Sequence, residues 1–294
     1  MSTAQEEIGV RSVDRRPLPR ELTLRDIGTR RLPIIQMFWH GRPLSRIERL
    51  SMTSFVRNGH SVHLYVYDEP SAVPAGVRVL NASDIVPRSE LFMHRRRNSI
   101  APFSDWFRYR LLFERGGLWS DTDIVCLEPF DYANPVVFAW QDEHHLNNAV
   151  LGLPAGDALA KWLATCCEQP NRMLPYDDLS ARLLKMKRWL RGRGREDIRW
   201  GETGPYGLTD AARHLGYTKH ALPSWHFYPV RYEDHRALFE SPRAGRPGTF
   251  EGSRGVHLWN QLVGDGKTLD KTARFPADSP FERLCARYLD ADDA

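Results

Sequence analysis

The stretch Phe103–Glu128 reads FSDWFRYRLLFERGGLWSDTDIVCLE, and the fold class turns on it. From Pro102 to Arg115 apolar side chains recur at helical spacing. Pro102 suits a first helical turn, and Gly116-Gly117 suits a C-terminal cap. At about 100° per residue Ser104, Asp105 and Arg108 share one arc, while aromatic and aliphatic residues cover most of the rest, so the helix is predicted to be largely buried. Leu118-Trp119-Ser120 then reads as a short strand that ends on Asp121-Thr122-Asp123, and Ile124–Leu127 reads as another. Carboxylates at a strand end, next to a buried charged helix, stand where α/β sheets place their ligands.

The chain on either side supports an α/β fold. Pro33–Trp39 (PIIQMFW) is a buried-strand pattern, Leu44 to about Arg57 a helical one closed by Asn58-Gly59, and Ser61–Tyr67 (SVHLYVY) an alternating strand. Strand, helix and strand in this order form a βαβ unit and predict a largely parallel sheet. Asp68 to about Ser99 reads as loop with a short strand near Val77–Leu80. Further strands are expected at Val136–Trp140 and Ala149–Leu153, and helices near Ala155–Glu168 and Leu179–Leu190. Residues 1–30 are charged, proline-bearing and aperiodic, which predicts a flexible leader before one domain over residues 31–294.

Composition excludes several classes. The chain has 294 residues and is 41% hydrophobic and 27% charged, which is too apolar for disorder and ordinary for a globular protein. No window approaches a membrane span and the N-terminus has no apolar signal region, so a cytoplasmic chain is expected. Cys126, Cys166, Cys167 and Cys285 form no CxxC pair and read as free thiols. The net charge of +4 is modest, and without a recognised module it argues against nucleic acid as partner. Basic clusters at His94–Arg97 and Lys185–Arg199 read either as solvated surface or as contacts for an anionic acceptor, a carrier phosphate or the inner face of an anionic membrane.

Asp121 and Asp123 can face one hard cation such as Mn²⁺ or Mg²⁺ if the strand-to-loop turn brings their carboxylates together. A second such pair, Asp290 and Asp292, sits in the tail and reads as solvated. Asp105 and Arg108 allow either an i, i+3 ion pair or a grip on ligand hydroxyls and phosphates. Near the C-terminus GVHLWN (Gly255–Asn260) reads as a strand with a polar tip.

The ordered set SDWFRYRLLFERGGLWSDTD resembles the signature of glycosyltransferase family 32, the DXD-containing sugar transferases, and more distantly the clostridial glucosylating toxins. IIQMFWHGRPLS, FVRNGHSVHLYVYDE and HLNNAVLGLPAGDALA resemble the family's flanking segments, so the likeness covers Leu32 to Leu163 well and the remainder thinly. The resemblance implies a single Rossmann-like GT-A domain with a mostly parallel central sheet flanked by helices. It also implies a nucleotide-sugar donor with uridine as the nucleoside, Mn²⁺ or Mg²⁺, and retention of anomeric configuration.

By the same resemblance Trp39 borders the nucleotide base, Asp105 and Arg108 hold donor sugar and diphosphate, Asp121 lies near ribose and metal, and Asp123 is the direct metal ligand. His257, and after it Asn260, complete the metal shell. Asn147 and Asn148 face donor and acceptor, with Asn147 grouped among the catalytic residues beside Asp121 and Asp123. The acceptor is expected to be a glycan, a lipid-linked molecule or a small molecule. Two readings compete: a metal-dependent nucleotidyltransferase or phosphohydrolase, which also holds a cation against a phosphate chain, and a non-catalytic sugar-binding relative.

Overall fold

Strands buried on both faces build the centre of the molecule. In β1 (Ile35–Trp39), Ile35 and Met37 face one side of the sheet and Phe38 the other, as the strand pleat requires. The computed structural model describes residues 32–41, 43–242, 250–263, 269–271 and 273–290. The leader expected over residues 1–30 and Asp292 lie outside the described residues. Asp290, at the edge, makes an exposed pair with Arg57.

β1 pairs in parallel with β2 (Val62–Val66), which pairs in parallel with β3 (Val77–Asn81); on its other side β1 pairs in parallel with β4 (Gly117–Ser120). The sheet closes with β7 (Leu146–Leu153) antiparallel to β4 and β6 (Val137–Trp140) antiparallel to β7, giving the order β3-β2-β1-β4-β7-β6. A separate ribbon joins β5 (Ile124–Cys126) to β8 (Gly255–His257). This is the mixed α/β layout, mostly parallel and flanked by helices, that the resemblance implied.

The chain builds β2 and β3 on one side of β1 and places β4 on the other. The order therefore reverses between β1 and β4, and ligands of open α/β sheets bind outside the strand ends at such a switch point. Trp39 ends β1 and Asp121 follows the last residue of β4, so both stand at that crevice.

One core face packs the sheet against α1 (Arg46–Arg57) and α6 (Pro280–Tyr288). The other packs it against α2 (Ala101–Arg115), α3 (Ala158–Glu168) and α5 (Pro205–His214). Helix α1 starts on a capping box in which Ser45 and Glu48 satisfy each other's end groups. In α2, Phe103, Phe107, Leu111 and Leu112 are wholly buried, and Phe107 stacks on Phe38 with centroids 4.6 Å apart. Gly116, which ends α2 at φ 64°, lies against Pro154 and Ala155, and a Cβ there would come within 2.5 Å of the Ala155 backbone nitrogen. The four cysteines are free.

Candidate active site at the end of the parallel strands

The strand ending at Ser120 and the buried face of α2 together fix the first carboxylate. Arg108 Nη2 donates to Asp121 Oδ1 at 2.6 Å, and Trp119 Nε1 donates to the same oxygen at 2.8 Å. The Arg108 guanidinium also lies 4.8 Å from the centroid of the Trp119 ring and donates to the Asn148 carbonyl. The i, i+3 contact to Asp105 is longer, 3.7 Å, so Arg108 is held mainly by the DXD carboxylate. Burial pushes the Asp121 carboxyl above its ordinary range; Arg108 opposes that and the neighbouring Asp123 adds to it. The Asp121 side chain keeps 29% of its surface open, so it remains available to a ligand.

Asp105 is gripped from two further elements. Asn148 Nδ2 donates to its Oδ1 at 2.8 Å from β7, and Thr203 Oγ1 donates to its Oδ2 at 2.9 Å from the turn before α5. Gly204 passes so close that a Cβ there would lie 3.3 Å from Asp105 Oδ2. Burial raises the Asp105 carboxyl, and Arg108, Thr203 and Asn148 offset part of that.

The second carboxylate belongs to a different set. Asp123 is buried; its Oδ2 lies 3.2 Å from His257 Nε2 and accepts the Asn260 backbone N–H at 2.8 Å. Burial alone would raise its carboxyl, but His257 and the Asn260 amide outweigh it and the net shift is downward. Trp259 carries the turn between them at φ 54°, ψ 47°, a left-handed conformation unusual for a bulky residue. It is core rather than a ligand contact, with its indole N–H on the Val230 carbonyl and its ring 4.0 Å from that of His257.

Sequence reasoning missed Glu48. Fully buried, it accepts Asn260 Nδ2 at 2.8 Å and Lys271 Nζ at 3.0 Å, and so ties α1 to the turn that reaches Asp123. Only its capping-box spacing was visible in the sequence. Lys271 also stands 6.0 Å from the Trp39 ring, which places the end of β1 beside this set.

Among the described residues no three His, Cys, Asp or Glu side chains form a ready-made metal site. Yet Asn260 Oδ1 is buried without a hydrogen-bond partner, on the same residue whose backbone amide bonds Asp123. A buried amide oxygen left unsatisfied beside a carboxylate fits a hard cation, whose preferred ligands are oxygens. His257 Nδ1 is likewise unpartnered, while its Nε2 faces Asp123.

Asn147 is not drawn into this cluster. Its amide donates to Gln141 Oε1 at 2.7 Å and its oxygen accepts the Ala149 N–H at 2.7 Å, which braces the β6–β7 hairpin. Adjacent strand residues face opposite sides, so Asn148 rather than Asn147 meets α2. Asp142 caps its own loop by accepting the His144 and His145 amides, each at 2.8 Å. Thr203, which the sequence reading also passed over, borders a cavity of about 330 Å³ lined as well by Arg199, Tyr206 and Asp210. A second, of about 570 Å³, shares Arg199, Tyr206 and Asp210 and adds Arg97 and Arg213.

Two family models match consecutive parts of the chain. One, described as a glycosyltransferase sugar-binding region containing a DXD motif, matches residues 57–140, which include Asp105, Arg108, Asp121 and Asp123. Over those residues the chain is similar to the DXD-containing glycosyltransferases. The other, an alpha 1,4-glycosyltransferase conserved region, matches residues 196–291 and covers Thr203, His257 and Asn260. A human alpha-1,4-N-acetylglucosaminyltransferase is similar at 22% identity over 195 residues, 65% of this chain and 52% of that protein, so the chain spans about half the length of that relative. A solved PaToxG glycosyltransferase aligns at 13% identity with a TM-score of 0.41, over 63% of this chain and 70% of that one.

Proposed function

We propose that this glycosyltransferase moves a sugar from a nucleotide diphosphate donor, with uridine as nucleoside, to a glycan, lipid-linked or small-molecule acceptor, and that it needs Mn²⁺ or Mg²⁺. The observation that carries the reading is the division of labour between the two DXD carboxylates. Asp121 is held by Arg108 and Trp119 with part of its surface open, whereas Asp123 is buried against His257 and Asn260.

On this reading Asp123 and the Asn260 amide oxygen hold the cation, with Asp121 beside them and His257 fixing the Asp123 carboxylate. When bound, the cation neutralises charge on the diphosphate leaving group. Arg108 lies where it can share that charge, because its fork already spans Asp121 and the Asn148 carbonyl. Asp105, fixed by Asn148 and Thr203, accepts hydrogen bonds from donor sugar hydroxyls, and we place the sugar-binding amide at Asn148 rather than Asn147. The face of Trp39 at the end of β1 packs against the base. The alpha 1,4 wording of the second family model supports transfer with retention, since an α-linked product from an α-linked donor keeps the anomeric configuration.

The test is to incubate the protein with a panel of nucleotide sugars and Mn²⁺ and to analyse products. Free nucleoside diphosphate supports glycosyl transfer or donor hydrolysis, and release of pyrophosphate supports a nucleotidyltransferase instead.

A further inference from the structure

Helix α4 (Leu179–Leu190) is inside out. Two of its four charged residues turn inward: Lys185 Nζ sits 2.8 Å from both oxygens of Asp177, and Arg188 pairs with Glu202 at 2.9 Å, with both basic side chains nearly wholly buried. Its apolar residues turn outward. Leu179 is 80% exposed, Leu183 51%, Met186 43% and Leu190 67%. These four are spaced i, i+4, i+7 and i+11, which at 100° per residue confines them to about 60° of arc. Trp189 and Leu184, also exposed, widen the stripe.

An outward stripe of this kind needs a cover. Charge identifies it. Arg182 and Lys187 are exposed and flank the stripe on opposite sides, Arg191 follows at the helix end, and α4 itself carries no carboxylate. An apolar stripe between basic edges, with a tryptophan just beyond one of them, complements an anionic lipid surface, where the leucines enter the acyl boundary and the cations meet the headgroups. No helix among the described residues is long and apolar enough to cross a membrane, so α4 would lie in the interface plane.

We propose that α4 docks this protein on an anionic membrane surface. The inward side of the same helix leads to the candidate active site: Arg188 holds Glu202, and the next residue, Thr203, holds Asp105. The cavity of about 330 Å³ lies between them, lined by Ala181 and Lys185 from α4 and by Thr203 and Tyr206. The docking itself does not depend on the sugar-transfer reading.

The experiment is co-sedimentation of the full chain with phosphatidylcholine vesicles, with or without about one third phosphatidylglycerol. The wild type should sediment with the anionic vesicles only and be released by salt. Leu183→Gln with Leu190→Gln should weaken partition at least about tenfold. Arg182→Gln with Lys187→Gln should weaken it too and flatten its salt dependence. All four positions are exposed, so both double variants should melt at the wild-type temperature. Absence of binding to anionic vesicles, binding indifferent to vesicle charge, or binding that survives the leucine substitutions would overturn the proposal. So would a dimer in light scattering that Leu183→Gln with Leu190→Gln converts to monomer, because the stripe would then be covered by a second copy.

Discussion

Arg108 Nη2 stands 2.6 Å from Asp121 Oδ1, closer than its helix neighbour Asp105 at 3.7 Å. The buried guanidinium thus couples the α2 helix to the end of β4, and its loss leaves Asp105 and Asp121 without their shared cation. Arg108→Ala should cost about 3–5 kcal/mol in urea unfolding, the range for breaking a buried pair. Arg108→Lys keeps the charge but not the fork. It should fold and bind nucleoside diphosphate about tenfold more weakly by calorimetry.

Asn148 and Asn147 should separate cleanly. Asn148→Ala takes a donor from the Asp105 carboxylate and should lower kcat/KM by about 10- to 100-fold, the effect of a hydrogen bond to a charged group. Asn147→Ala should act on the β6–β7 hairpin, costing about 1 kcal/mol of stability with a smaller effect on turnover. Steady-state kinetics and urea melts on both variants check this.

Much of this arrangement was legible because local pattern and tertiary role agree. The buried run of β1, the alternation in β2, the Asn58-Gly59 stop of α1 and the Gly-Gly stop after α2 each set a local geometry, and together they put Asp121 at the end of β4. The contacts from residues far along the chain were not legible. Thr203 and Glu48 reach Asp105 and Asn260 only through the fold; nothing around Thr203 marks it, and the capping box at Glu48 says nothing of Asn260. Helix α5 was missed although Gly204-Pro205 is a good helix start. The bounds of α4 were legible but its orientation was not: ordinary amphipathic logic turns Leu179, Leu183, Met186 and Leu190 inward, and the fold turns them out because Asp177 and Glu202 wait inside for Lys185 and Arg188.

Gly116 is required by both conformation and space. Its φ of 64° and the 2.5 Å approach of the Ala155 nitrogen leave no room for a methyl group. Gly116→Ala should destabilise the protein by about 1–3 kcal/mol, through left-handed strain and displacement of the turn before α3. Thermal melting against the wild type measures it.

Stability should fall on mild acidification through His226. Burial, with help from Arg254, lowers this imidazole from 6.5 to about 4, and its Nε2 bonds the Tyr132 hydroxyl at 2.7 Å. The unfolded chain takes up a proton there below about pH 6.5, while the native state does so only near pH 4. The neutral-His contribution is therefore full above that window and is lost as pH falls through it, at no more than about 1.4 kcal/mol per pH unit. The urea midpoint should drop less between pH 7 and pH 5 in His226→Gln than in the wild type.

The central claim is that Asp123, with Asn260 beside it, serves metal-dependent use of a nucleotide-sugar donor. The most direct measurement compares wild type and Asp123→Asn, both confirmed folded, for nucleoside diphosphate released from the preferred donor with Mn²⁺ and with excess chelator. The account predicts release by wild type that chelator abolishes, and a fall of at least about a thousandfold in the variant, as for loss of a principal charge-stabilising group. Undiminished release by Asp123→Asn, or by wild type in chelator, would contradict it.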